Sequence, residues 1–439
     1  MRIGVVGSGI AGLVATWRLG LDHEVHVFEA QPTLGMDAAS LATEVDGRQI
    51  RVDVPLRVFG SGYYPELTAL YAEADIPRGG ADYSASYSAL SGPTYFAYRS
   101  FQLSERALSL PDPRIGALRD NLERLGHGAR FYSSEPRRLR DGLVPEETIA
   151  AYLAKRGYAS TFTDDVLMPT LAAILTCTQT DARSYPARAV IEFFGRTLGT
   201  SFGRVSSGTQ AVVDRLSSRA AAVHLGTRVR EVRSTAGVTL VDASGAEHTF
   251  DHVVVATQAH YVPALIPSLT DEERSVFAAF RTAAFECVVH RDPKLMPQDR
   301  RGWRPINAVV PDREQMPMFT MWMNRIVRTL ADAPPLFQTI NPLVRPDPAL
   351  ELHRVRLDRP ILDAAAQTAA RRIHALHDEP GRRIWFCGSY LTDGFPLLEA
   401  GVESAQAVTR RIQSLSGSDA RPTRRTEPRE PARGDMRSR

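Results

Sequence analysis

Apolar and polar positions follow two different rhythms along this chain. Ile3, Val5 and Val6 form a short apolar run that breaks at Gly7-Ser8-Gly9-Ile10-Ala11-Gly12, and Leu13 to Leu19 then supplies helix formers. Glu24-Val-His-Val-Phe-Glu29 alternates with period two and closes on a carboxylate. Together these predict strand, turn, helix and second strand. Leu41 to Val54 alternates again around an Asp46-Gly47 turn signal, which predicts a hairpin. Helical spacing takes over in 64–75, 114–125, 145–156 and 187–198, so the middle of the chain reads as mostly helical. From Val223 the texture returns to strands, and Thr249 to Thr257, including Ala256, is a continuous apolar run suited to a strand buried on both faces. Phe285–His290 and Met318–Asn324 predict a second sheet among Pro-rich connections. A strand ending at Gly388 and a helix from Glu399 to about Leu415 close the pattern.

The opening turn carries a specific chemistry. Gly7 permits the tight exit from the strand, Gly9 lets backbone approach a pyrophosphate, and Gly12 lets the helix pack closely on the sheet. The helix N-terminus, with Ser8, Ile10 and Ala11 around it, then faces the phosphates. Glu29 falls where an acid would accept from two ribose hydroxyls, with Ala30 beside it, which disfavours NADP. The fold class expected is α/β, with an α+β substrate part: a discontinuous Rossmann-like domain from 1–80, 200–265 and 380–415, enclosing a substrate domain of sheet and helices from 81–199 and 266–379.

Composition narrows the picture. At 439 residues and 43% hydrophobic, the chain exceeds one typical domain and can bury a substantial core. Residues 418–439 hold seven arginines against four acids, which accounts for the whole net charge of +3. The body is therefore neutral, and 416–439 reads as a disordered basic tail whose interspersed acids argue against a nucleic-acid partner. Cys177, Cys287 and Cys387 are too scattered for a disulfide framework or a zinc site. His374 and His377 read as ordinary histidines, and no metal is expected. No leader precedes Arg2 and no apolar run approaches the ~18 residues of a membrane span, so the reading is cytoplasmic with no integral membrane contact.

Several separate motifs then agree, and the chain resembles the flavin-containing amine oxidase superfamily, which includes phytoene desaturases and protoporphyrinogen oxidases. The resemblance spans roughly residues 1–415. It looks closest to a group of bacterial predicted FAD-binding oxidoreductases, through Leu295-Met-Pro, Trp322-Met-Asn324-Arg325, Asn341-Pro and Phe386-Cys-Gly388-Ser-Tyr390. The resemblance implies FAD as cofactor, with Val229 meeting the adenine, Gly388 near the ribityl phosphate, and Gly401 and Val402 at a helix start beside the flavin pyrimidine. Such a helix start would offer unpaired N–H donors to the negative charge of reduced flavin.

Departures from that pattern lie where flavin and substrate should meet. Gly35 is followed by Met36 and Asp37 rather than by glycine and a basic residue, an Asp-Thr-Gly-like segment appears as Asp53-Val-Pro-Leu-Arg57, and a Gly-Phe-His-Glu-Asp-Gly segment is replaced by Gly394-Phe-Pro-Leu-Leu-Glu-Ala-Gly401. Flavin N5 accepts hydride, so the protein need supply placement, water exclusion and polarisation. Candidates around the substrate are Arg57, Tyr63, Trp322, Asn324, Tyr390 and Glu399, with Phe319, Met321, Phe395, Leu397 and Leu398 suggesting an apolar lining. Lys294, one of two lysines with Lys155, reads as a surface stem. The expected function is an FAD-dependent oxidoreductase that moves hydride at a carbon of a hydrophobic small molecule, as oxidase, desaturase or reductase, with oxygen or a reductase as electron acceptor. Alternatives are a redox-neutral isomerase and a non-catalytic binding protein on the same scaffold.

Overall fold

Arg2–Val6 lies at the centre of a five-stranded sheet ordered Ala222–His224, Glu24–Phe28, Arg2–Val6, His252–Val255 and Ile384–Phe386, with every neighbouring pair parallel. The computed structural model describes residues 1–35, 39–45, 48–103, 106–197, 199–234 and 237–418. The strands are short and apolar because both faces are covered. Ile3 and Val5 point into one core with Leu13 and Val14 of helix Ile10–Leu19 and with Val402 and Ala405 of helix Leu398–Ser418. Val6, Val253, Val255 and Phe386 point the other way, into a core shared with Leu240 and Phe250 of a three-stranded antiparallel sheet.

A second large sheet has eight strands in the order Glu351–Pro360, Thr282–His290, Phe337–Ile340, Met318–Trp322, Ile306–Val310, Ala85–Ala89, Thr94–Leu103, Arg106–Pro111. It is antiparallel except where Ile306–Val310 runs beside Ala85–Ala89. Its inner face carries a core of its own, with Phe285, Ile306 and Met321. Helices Leu118–Arg140, Ile149–Lys155, Met168–Leu175 and Ala187–Thr197 flank it, and their apolar residues merge with the core around Tyr63 and Leu67.

Two parts of the architecture differ from the periodicity reading. The three strands between 85 and 111 fall in a stretch read as mostly helical; their strand state is set by pairing with Ile306–Val310, far downstream, rather than by local spacing. Helix Ala364–Leu376, grouped by sequence with the substrate part, buries Ala366, Ala370 and Ile373 against the parallel sheet beside Val253 and Phe386. The hairpin strands Ala39–Val45 and Arg48–Val54 pair antiparallel, while the Asp46-Gly47 turn, Met36-Asp37 and the tail 419–439 lie outside the described residues.

All three cysteines are free and buried, and burial pushes each thiol up to about 12. His377 is a core histidine: its Nε2 accepts from Phe386 N at 3.0 Å, and burial lowers its pKa to about 3, so the ring stays neutral. Among the described residues no helix is long and apolar enough to cross a membrane.

Candidate functional site

Gly7 leaves the central strand at φ +100°, a conformation open to glycine, and its N–H donates to Phe28 O at 2.9 Å. Gly12 faces it across the turn so closely that a Cβ there would sit 2.0 Å from Gly7 O. Gly9 is the N-cap of helix Ile10–Leu19 in extended backbone, with no side-chain cap, no acid in the first turn, and open space where its Cβ would project. The first helical N–H groups are thus left for a ligand, and the helix dipole adds partial positive charge at the same place. Glu29 continues the second strand, its N–H donating to His224 O at 2.9 Å. Its carboxylate accepts from Ser8 N at 3.0 Å, Ser8 Oγ at 2.5 Å and Gln31 N at 2.9 Å, and Gly35 N donates to Ser8 Oγ at 3.2 Å. The acid therefore braces the glycine turn as well as facing the open space beside it.

That space is the mouth of one cavity of about 1110 Å³, above the ~300–1,000 Å³ of ordinary small-ligand pockets. Gly7, Ser8, Gly9, Ile10, Ala11, Glu29, Ala30, Gly35, Val229, Ala256 and Gly388 all lie on its wall, drawn together from distant parts of the chain. It then runs on past Tyr390 and Arg57 to the inner face of the eight-stranded sheet, where Phe319 and Met321 line it with Phe285. Leu397 and Leu398 close the side formed by the start of the last helix. Tyr390 lies over Gly388, where an added Cβ would meet its ring at 2.5 Å, and stands edge-on to Phe280 with centroids 5.0 Å apart. Burial holds its phenol far above the usual range.

Besides Gly12, seven sequence candidates are placed away from the cavity wall. Trp322 sits on the opposite face of its strand from Phe319 and Met321, packed edge-on against Trp303 at 5.4 Å with the Arg325 guanidinium 4.9 Å from its ring; a strand turns successive side chains to opposite faces. Asn324 ties down the following loop, its Nδ2 donating to Leu330 O and Ala333 O at 2.7 and 2.9 Å while its Oδ1 accepts from Leu336 N at 2.8 Å. Gly401 belongs to the contact between the first and last helices, where a Cβ would come 2.6 Å from Ile10 Cγ2, and Val402 is fully buried beside it. The helix start that reaches the cavity is Leu397–Leu398, a turn earlier than the motif implied.

The fifth is Glu399. Its carboxylate accepts from Glu66 N at 2.8 Å and Leu67 N at 2.9 Å, capping helix Pro65–Glu73 from outside. Burial, reinforced by Glu403 and Glu66, raises its pKa to about 7 despite those two donors. A carboxyl raised in the folded state stabilises the fold fully below its ordinary value and loses that contribution as pH rises through about 7. Glu399→Gln is therefore expected to flatten the fall in thermal midpoint between pH 5 and pH 8.5; a residual slope remains from Glu403, which burial also raises. An unchanged slope in differential scanning fluorimetry would contradict this role.

Tyr63 and Phe395 are likewise internal: Tyr63 Oη accepts from Phe395 N at 2.9 Å, and both rings pack against Phe193. Lys294 is exposed. Sequence reasoning missed Tyr64, which lines the wall next to Tyr63, and Arg359, which shares one face of its strand with Val355 and Leu357. It also missed Ser404, whose Oγ accepts from Gly388 N at 3.0 Å and holds the glycine against the last helix. Alternation in 351–360 was a usable signal for Arg359; nothing local marked Ser404.

A family model described as an NAD(P)-binding Rossmann-like domain matches residues 5–74. No curated protein matches the chain. Among solved structures, putrescine oxidase bound to putrescine is similar at 13% identity over 94% of this chain and 99% of that one, with a TM-score of 0.64. A candidate protoporphyrinogen oxidase from Exiguobacterium sp. 255-15 aligns at 15% identity, the same coverages and a TM-score of 0.62. Cyclohexylamine oxidase from Brevibacterium oxydans IH-35A aligns at 14%, with the same coverages and a TM-score of 0.61. Across nearly its whole length the chain thus shares the fold of these oxidase structures.

Proposed function

We propose that this protein is an FAD-dependent oxidoreductase that moves a hydride between a carbon of a hydrophobic small molecule and flavin N5, as an oxidase or desaturase or in the reducing direction. The observation that carries the reading is a single cavity that begins at a dinucleotide-type glycine turn and ends in an apolar chamber on a second sheet. Bound there, FAD would supply the hydride acceptor. The chain would hold its diphosphate at the N–H groups of Gly9, Ile10 and Ala11, its adenosine ribose at Glu29 and its adenine beside Val229, with Gly388 lining the middle of the path. The open space at the Gly9 Cβ position and the uncapped helix start fit a phosphate approaching the backbone.

In this reading 1–80, 200–265 and 380–415 form the cofactor domain and 81–199 and 266–379 the substrate domain, apart from helix Ala364–Leu376, which packs on the cofactor side. The substrate end contributes placement and exclusion of water. Tyr83 and Tyr87 line it, and burial raises both phenols to about 12, so they remain neutral donors rather than bases at ordinary pH. Oxygen or a partner reductase would take the electrons onward.

The absorbance spectrum of the purified protein tests the first half of the reading. A yellow protein with flavin bands is expected, and anaerobic titration with candidate amines, unsaturated lipids and pigments should bleach it with one class. Colourless protein that rejects added FAD would overturn the proposal.

A further inference from the structure

The substrate end of the cavity is lined by apolar and phenolic side chains, with the Arg57 and Arg359 guanidinium groups among them. Val355, Leu357 and Arg359 share the more buried face of strand Glu351–Pro360, and Arg356 and Asp358, which alternate with them, are exposed at the cavity's border. The Arg359 guanidinium donates to Ile174 O at 2.8 Å and lies 5.6 Å from the Phe285 ring centroid. Among the described residues it forms no ion pair. Burial works most strongly against its charge, the Tyr64 hydroxyl favours the charge, and Arg57 is near enough to repel it. Of the acids on the same cavity wall, Glu29 is at the glycine turn, Asp82 is exposed and accepts from Ser84 N and Oγ, and Asp358 is exposed and alternates with Arg359 along the strand. A guanidinium held in an apolar chamber without a carboxylate partner is costly, and an anion arriving with the ligand removes that cost. The planar fork of arginine suits a carboxylate, which it can bind through two parallel N–H···O bonds.

Building on the flavoprotein reading, we propose that the substrate is an apolar molecule bearing a carboxylate, seated on Arg359 with Arg57 beside it and with its hydrocarbon or aromatic body along Phe319, Met321 and Leu357. A protonated amine of the same shape would meet the Arg359 guanidinium, which sets this chamber against cationic substrates. Arg359 then determines specificity and orients the ligand, so that its reacting carbon, rather than its polar end, lies toward the flavin end of the cavity.

The test is isothermal calorimetry on the purified holoprotein with three matched probes: 4-phenylbutyrate, 4-phenylbutan-1-ol and 4-phenylbutylamine. The acid is expected to bind at least ten-fold tighter than the alcohol, and the amine weakest. Arg359→Met should remove the preference for the acid while leaving alcohol binding and flavin content unchanged, and Arg359→Lys should keep part of it. Equal binding of the three probes by wild-type protein, a preference for the amine, or an Arg359→Met protein that keeps its acid preference overturns the inference. Loss of flavin from Arg359→Met also overturns it, because the arginine then serves the cofactor. Calorimetry reads the anion preference whether or not flavin is present. The spectrum of the same sample therefore reports separately on the flavoprotein reading, and an acid preference in a protein that rejects FAD would leave the arginine site standing without it. Should Arg359→Met fail to fold, the wild-type ranking and the lysine variant still decide.

Discussion

Gly12→Val is expected to yield protein that neither folds cooperatively nor carries flavin. The Cβ of any residue at position 12 would sit 2.0 Å from Gly7 O, 3.0 Å from Gly7 C and 3.3 Å from Ala256 Cβ. The first two are backbone atoms of the turn itself, and Gly7 is held by its bond to Phe28 O, so neither partner can move aside without breaking the central strand pairing. A clash of that kind belongs to the rare class of substitutions that cost more than about 4 kcal/mol. Gly9→Ala is the matching control. Nothing lies within 4 Å of its Cβ, and its backbone, at φ −62° and ψ 175°, is open to any residue. The fold should therefore persist with its thermal midpoint intact. The new methyl would occupy the space where a diphosphate meets the helix start, so FAD affinity should fall at least ten-fold. The two variants, compared by fluorimetry and by flavin absorbance, separate a glycine needed for packing from one needed for a ligand. Loss of folding by Gly9→Ala, or normal flavin content in Gly12→Val, would show that the roles are misassigned.

The contrast between these glycines explains which half of the molecule could be read from its sequence. Gly7, Gly9 and Gly12 shape the turn through their backbones and Glu29 braces it with its carboxylate, over a span short enough for local pattern to specify. Val229, Ala256 and Gly388 reach the same wall because each sits near an end of a short strand whose apolar run was visible. The substrate end obeys no such local rule. Met318–Trp322 was recognised as a strand, yet which of its faces meets the cavity depends on pairing with Ile306–Val310 and Phe337–Ile340. Phe319 and Met321 therefore line the wall while Trp322, one residue on, packs against Trp303. Glu399 was visible as an acid near a helix start, but its partners Glu66 and Leu67 lie more than three hundred residues earlier. Arg359 lies in a stretch rich in arginine, where only the strand alternation sets it apart from Arg356.

Asn324→Ala should lower stability by about 3 kcal/mol while leaving flavin binding and ligand selectivity in place. The Asn324 side chain is 8% exposed and makes four hydrogen bonds, to Leu330, Ala333 and Pro334 carbonyls and from Leu336 N. Alanine leaves Leu336 N, itself buried, without its acceptor, and an orphaned buried donor costs about 1–3 kcal/mol before the lost carbonyl contacts are counted. The loop it ties down leads directly into strand Phe337–Ile340, which pairs on both sides within the eight-stranded sheet. Pairing of Phe337 with Trp322 and of Ile340 with Phe319 should hold that strand in register even when the loop loosens, so the cavity wall at Ile340 keeps its position. A structural asparagine and a catalytic one give opposite signatures here. The first lowers the denaturation midpoint and spares turnover below it, whereas the second spares the midpoint and abolishes turnover. Asn324→Asp sharpens the distinction: it keeps Oδ1 for Leu336 N but replaces the Nδ2 donations to three carbonyls with carboxylate–carbonyl repulsion, so it should be at least as destabilising as alanine. An Asn324→Ala protein with a wild-type midpoint and no activity would return this residue to the reaction site.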